Sequence, residues 1–210
     1  MTPSRRGFRA LLAAGEDEVV DDDRAASLDA VLIGGREPAS IVVADYDDAW
    51  PARFEVLADR VRRALGPRVR CLEHIGSTSV PGLAAKPIID MLLIVDDVHD
   101  EAAFVPPLEG AGFELRVREP DHRMLRTPHR DTHLHVYAPG RAQARDYLDL
   151  RDWLRVSSDD CTLYANVKRH LAQKQWNDMN DYADAKTDIV LDILARARTW
   201  RAASAHPIEP

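Results

Sequence analysis

His74–Val95 reads HIGSTSVPGLAAKPIIDMLLIV, and the fold turns on what this stretch is. It sets a small-residue turn, Gly76-Ser77-Thr78, twelve residues ahead of Asp90, a lone acid in a run of aliphatics. A Gly-Ser turn at the end of a strand lets backbone N–H groups and hydroxyls approach a phosphate. The residues between cross to a neighbouring strand, whose carboxylate stands where a Mg²⁺ would bridge it to the same phosphate. The plainer alternative is a tight connection between two core strands, with Asp90 paired to an Arg or Lys. Two features favour the phosphate reading. Lys86 and the hydroxyls of Ser77, Thr78 and Ser79 put a cation and several donors in one loop. An ionised carboxylate between Ile89 and Met91 is costly unless it is paired or metal-bound. The two common phosphate loops do not fit, because Gly82 is followed by Leu83 rather than Lys and no GxGxxG occurs.

Outward from this stretch, Ser40–Ala44 (SIVVA) reads as a short strand and Asp45–Gly66 as a helix with its entry turn. Asp48 stands as the N-cap and Pro51 in the first turn. Trp50, Phe54, Leu57, Val61 and Leu65 recur at helical spacing before Gly66. Arg70–Ile75 and Pro87–Val95 read as strands, the second so apolar that it belongs in the sheet centre, buried on both faces. His99–Gly112 reads as a helix broken at Pro106-Pro107. Phe113–Arg118, His122–Thr127 and Thr132–Ala138 read as strands, and Arg141–Val156, Asp159–Trp176 and Asn180–Arg201 as helices. The sum is an α/β (α+β) domain, one mixed β-sheet with flanking helices and a C-terminal three-helix layer. Residues 1–39 read as an acidic, flexible tail with one short helix at Leu28–Ile33. Residues 40–201 read as the domain and residues 202–210 as a disordered tail.

The 210 residues carry a net charge of −7, which argues against general nucleic-acid binding but leaves room for a basic pocket around one small anion. Cys71 and Cys161 are the only cysteines, so neither a disulfide framework nor a structural zinc site is expected. The apolar run Ala10–Ala14 is too short for a signal peptide, and no stretch approaches the roughly 20 apolar residues of a membrane span. A cytoplasmic protein with no membrane partner is expected. The basic residues are 24 Arg and 4 Lys, so Lys86, Lys168, Lys174 and Lys186 stand out.

HIGSTSVPGLAAKPIIDMLLIV closely resembles the signature of the GrpB-like family, part of the DNA-polymerase-β-like nucleotidyltransferase superfamily. The resemblance continues in Asp45-Tyr46 with Trp50, in Thr132–Tyr137 (THLHVY), in Arg151–Arg155 (RDWLR), in Tyr164 with Lys168, and in Tyr182 with Lys186. It implies a nucleotidyltransferase-type fold whose Gly-Ser turn holds a triphosphate, beside two Mg²⁺ ions held by an acid-x-acid pair and a third acid. Gly76 and Ser77 match the turn, and Asp90 matches the first, catalytic acid. The second acid falls at Leu92, and His135 stands where the third would be. That departure leaves two-metal geometry short of ligands.

His133 and His135, two apart on a strand, point to one face. With His74 they would bring three imidazoles near Asp90, either as a transition-metal site or as hydrogen-bonding groups around a phosphate. Arg123 and Arg126 are three apart, so at most one faces the site. Arg151 and Arg155 share a helix face, and Lys168 and Lys186 each follow a tyrosine by one turn. The reading is of a protein that binds a nucleotide or another phosphorylated small molecule at Gly76, Ser77 and Thr78. Lys86, Arg123 or Arg126, and Lys168 would neutralise the phosphate, with His74, His133, His135 and Arg151 nearby. Asp90 and His135 would hold a Mg²⁺, and nucleotidyl transfer to a small acceptor would follow if Leu92 permits it. The alternatives are a non-catalytic phosphate-binding module and a histidine-based, metal-dependent hydrolase.

Overall fold

The aliphatic run after Lys86 does become a strand, and the sheet is built around it. The computed structural model describes residues 26, 28–36, 41–176 and 179–204. Its elements, in order, are α1 (Trp50–Leu65), β1 (Cys71–Ile75), β2 (Ile89–Ile94), α2 (Glu101–Gly110), β3 (Glu114–Glu119), β4 (His122–Arg126) and β5 (Thr132–Tyr137). They are followed by α3 (Ala142–Val156), α4 (Ser158–Ala172), α5 (Met179–Asp184) and α6 (Thr187–Ala203). The five strands form one mixed sheet in the order β1-β2-β5-β4-β3, in which only β2 and β5 run parallel. This is the mixed sheet with flanking helices and a C-terminal helical layer expected from the sequence.

Strand alternation assigns each side chain of β2 to a layer. Met91 and Leu93 face α1 and α2, in a core with Trp50, Phe54, Val61, Phe104 and Leu108. Asp90, Leu92 and Ile94 face the other way. Leu92 and Ile94 pack with Ile75, Tyr137, Ala144 and Leu148 under α3, while Asp90 sits at the strand's start, clear of that cluster. A third cluster joins Val80, Leu83 and Ala84 of the loop before β2 to Leu154, Tyr164 and Ile193 of the C-terminal helices. The long loop after the Gly-Ser turn is thereby pinned between the sheet and the helical layer.

Several expectations need correcting. Asp48 is not the cap of α1: the N-cap is Ala49, with no side-chain cap bond, and Asp47 Oδ1 accepts the Ala49 N–H at 2.8 Å, while Pro51 and Gly66 do start and stop the helix. Pro106 and Pro107 do not break α2, because the burial of Phe104, Val105 and Leu108 holds the turns that two missing N–H donors weaken. The expected strand Ser40–Ala44 is reduced to one bridge between Ala44 and Ala85, and Ser40 lies outside the described residues. The last expected helix is two helices, with Lys186 at the N-cap of α6.

Residues 28–36 of the expected tail lie against the sheet. Residues 28–31 are helical, Leu32 bridges Val117 of the edge strand β3, and the Arg116 guanidinium donates to the carbonyls of Ile33 and Gly35. Residues 1–25 lie outside the described residues. At the other end α6 reaches Ala203, and residues 205–210 lie outside.

Because Leu92 is fully buried among aliphatic and aromatic side chains, replacing it with an acid should not create a metal ligand. Leu92→Asp should cost about 4 kcal/mol or more of folding stability in urea titration, the penalty of a carboxylate without partners. A loss under about 1 kcal/mol would mean that this position opens to water.

Candidate functional site

The site begins where β1 ends. Ile75 is paired with Asp90 across the β1–β2 ladder, so the next residue, Gly76, lies directly beside the Asp90 side chain. Gly76 has φ of +68°, and a Cβ built on it would lie 2.3 Å from Asp90 Oδ2 and 2.8 Å from Asp90 Cβ. Only glycine meets both demands. Ser77–Ser79 then turn in one 3-10 helix, closed by Ser79 Oγ donating to the Gly76 carbonyl at 2.6 Å. Thr78 Oγ1 donates to the Ile88 carbonyl at 3.1 Å, which ties the turn to the residue before β2.

Helix α3 clamps the turn from both sides. Arg151 donates to the His74 carbonyl at 3.0 Å and Arg155 to the Ser79 carbonyl at 2.8 Å. Arg151 is itself fixed by Glu73 and Asp152, each at 2.8 Å, so it holds the turn in place, and it also lines the cavity beside the turn. From α4, Lys168 Nζ donates to Ser77 Oγ at 2.9 Å.

Between the turn, the sheet face of Asp90 and helices α4 to α6 lies a cavity of about 470 Å³. Three of the chain's four lysines, Lys86, Lys168 and Lys186, line it. Lys186 and Lys86 flank the ring of Tyr182, at 4.3 and 5.2 Å from its centroid, and Lys168 stands 4.5 Å from that of Tyr164. Burial, then the charge of Lys186, holds the Lys168 ammonium down to about 7. Burial, then Lys86, holds Lys186 at about 7. Tyr182 is fully buried, and among the described residues its hydroxyl has no hydrogen-bond partner.

The sheet face below carries Asp90, His133 and His135. His133 Nδ1 lies 3.2 Å from Asp90 Oδ1. Burial would raise the Asp90 carboxyl, but the His133 bond, with His133 and Lys86 nearby, wins and holds it below its ordinary value. Burial first, and then His122 and His133, keep His135 neutral by depressing it to about 3.

Two of the candidates from the sequence are not at this site. His74 pairs with Met91, so alternation sends it to the opposite face from Asp90, where it stacks on Phe54 with ring centroids 4.7 Å apart. Its Nε2 bonds Thr78 Oγ1 at 3.0 Å, and burial depresses it to about 4. The three converging imidazoles are therefore not His74, His133 and His135. Arg123 likewise lies on the core face, bound to Glu101 and the His122 carbonyl, whereas Arg126, three residues on, lines the cavity. Glu119 and His122 are at the site and were not singled out by sequence. The signal that would have found them is the hairpin register, which sets Glu119 opposite His122 and Met124 opposite His135 on one face.

The residues do not fit the two-magnesium centre implied by the resemblance. Leu92 fills the second acid position with buried hydrocarbon, and His135, its ladder partner on β5, presents a nitrogen.

Residues 40–196 match the family described as GrpB protein. A UPF0157 protein of Streptomyces coelicolor is 52% identical over 170 residues, covering 81% of this chain and 91% of that one. A crystal structure of conserved protein GrpB from Enterococcus faecalis superposes with a TM-score of 0.68 at 33% identity, covering 76% of this chain and 99% of that one. A dephospho-CoA kinase of Mycolicibacterium paratuberculosis is 28% identical over 194 residues, which cover 79% of this chain and 47% of that one.

The contact of Gly76 with Asp90 gives a sharp test. Gly76→Ala should lower stability by about 2 kcal/mol or more, from left-handed backbone and from the displaced carboxylate, in thermal or urea unfolding. A variant as stable as the parent would show that the turn relaxes away from Asp90.

Proposed function

The chain belongs to the GrpB family, and from that footing we propose that it binds a nucleotide or another phosphorylated small molecule in the cavity at the Gly76–Thr78 turn. The observation that carries this reading is the gathering of Lys86, Lys168 and Lys186 from three separate segments of an arginine-rich chain around one Gly-Ser turn. Crowded, partly desolvated ammoniums are costly, and an anion among them offsets both their mutual repulsion and their desolvation. The Ser77 hydroxyl and the unpartnered Tyr182 hydroxyl supply directional bonds to the same ligand. Asp90 adds a place for a divalent cation beside the phosphate.

A small ligand suits a cavity of about 470 Å³ and the net charge of −7 better than a polymer does. Leu92 favours binding without two-metal nucleotidyl transfer, so a non-catalytic binding module is the second reading. The two readings part at Asp90→Asn: it abolishes turnover in an enzyme and leaves phosphate binding nearly intact in a binding module.

Calorimetry with inorganic phosphate, nucleoside mono-, di- and triphosphates and dephospho-CoA, each with and without Mg²⁺, tests the proposal. One or more should bind, with at least a tenfold loss in Ser77→Ala and in Lys168→Met, the range of a lost charge-assisted bond of about 1.5–3 kcal/mol. No binding across the panel, or binding indifferent to both substitutions, would overturn it.

The lysines also predict a pH dependence. Their folded values near 7 lie below the ordinary 10.5, so between those limits the unfolded chain binds more protons. Stability of the ligand-free protein should therefore rise with pH across that window. Phosphate prefers the ammonium forms, so its affinity should fall over the same window. Affinity that is flat between about pH 6 and 9 would remove the lysines from the site.

A further inference from the structure

On the sheet face below the cavity, Asp90, His133 and His135 each turn one ligand atom toward a common point, the three atoms lying within 4.8 Å of one another. Asp90 Oδ1 is 3.2 Å from His133 Nδ1 and 4.0 Å from His135 Nε2. Behind His135 a line of hydrogen bonds crosses to the next strands. His122 Nδ1 is 2.7 Å from Glu119 Oε2, and His122 Nε2 is 3.1 Å from His135 Nδ1. Aromatic contacts hold both rings, with Tyr137 stacked 4.6 Å from His122 and Tyr147 5.1 Å from His135.

A carboxylate only accepts, so His122 carries a proton on Nδ1, facing Glu119, and the His122–His135 bond turns His135 Nε2 toward the Asp90 carboxylate.

We propose that Asp90, His133 and His135 form a site for one divalent first-row transition ion of the zinc type, in preference to magnesium, with His122 and Glu119 orienting His135 from behind. Two imidazole nitrogens and a carboxylate suit zinc, cobalt, iron or manganese, whereas magnesium prefers six oxygens and keeps much of its water. Around an ion with bonds of about 2.0–2.1 Å, tetrahedral ligand atoms sit about 3.4 Å apart. The Asp90–His133 pair, at 3.2 Å, already fits this spacing, and the Asp90–His135 pair, at 4.0 Å, is slightly wider. The Glu119–His122 line is the hydrogen-bonded backing that fixes tautomer and ring orientation in such sites. The coordination positions left over face the lysine-lined cavity, so a phosphate oxygen would complete the shell. That last step rests on the proposed ligand, and the ion site does not.

The test is cobalt(II) titrated into the metal-stripped full-length chain, read by its visible d–d absorption, with no nucleotide present. One cobalt per chain is expected, displaced by zinc and unaffected by excess magnesium. Asp90→Asn and His135→Ala should abolish it. Glu119→Gln and His122→Phe should weaken it about 10–100-fold, with circular dichroism matching the parent. No d–d bands, displacement by magnesium, or affinity unchanged in Asp90→Asn or in Glu119→Gln would each overturn the proposal. The phosphate reading stands or falls separately, on calorimetry.

Discussion

The site depends on the contact between the Gly76 backbone and the Asp90 side chain. A strand ends, the chain turns through φ of +68°, and the missing Cβ leaves room for a carboxylate. That one close approach puts the Gly-Ser turn and the Asp90 carboxylate side by side. Everything else stabilises it: Arg151 and Arg155 grip the carbonyls on either side of the turn, and Thr78 ties it to Ile88.

Strand alternation then decides which residues share the site. Asp90, His133, His135, His122 and Glu119 come from four neighbouring strands and fall on one face because the register places them there. The same rule removes His74 and Arg123, which lie one residue out of phase. Leu92 obeys it too, but two residues along β2 the face is no longer cavity; it is the core beneath α3. Any ion at Asp90 must therefore draw its further ligands sideways, from β5, and those ligands are imidazoles. The sheet geometry and the change of ligand chemistry are one fact seen twice.

Much of this was legible in sequence. The aliphatic run around Asp90 placed β2 within two residues of its observed ends, and the punctuation by Gly66 placed the end of α1 within one, although the helix starts at Trp50 rather than at Asp45. The scarcity of lysine pointed at Lys86, Lys168, Lys174 and Lys186, and the fold joins all but Lys174 around one cavity. What was not legible needed long-range information. The Glu119–His122 line requires the β3–β4–β5 register. The start of α1 at Ala49, with no side-chain cap from Asp48, depends on local dihedrals. The docking of residues 28–36 on β3 depends on Arg116, which a local pattern does not reveal. Arg151 was visible as a charge on a helix face, but its grip on a backbone carbonyl was not.

The central claim is that Gly76, Asp90 and the two histidines build one place where a metal ion and a phosphate meet. Anomalous diffraction at the cobalt edge, from crystals soaked in cobalt(II) and a nucleoside diphosphate, tests it most directly. The account predicts one peak bonded to Asp90, His133 and His135, with a phosphate oxygen between the ion and the Ser77–Lys168 pair. An ion bound elsewhere, or a phosphate seated away from the Gly76–Thr78 turn, would contradict it.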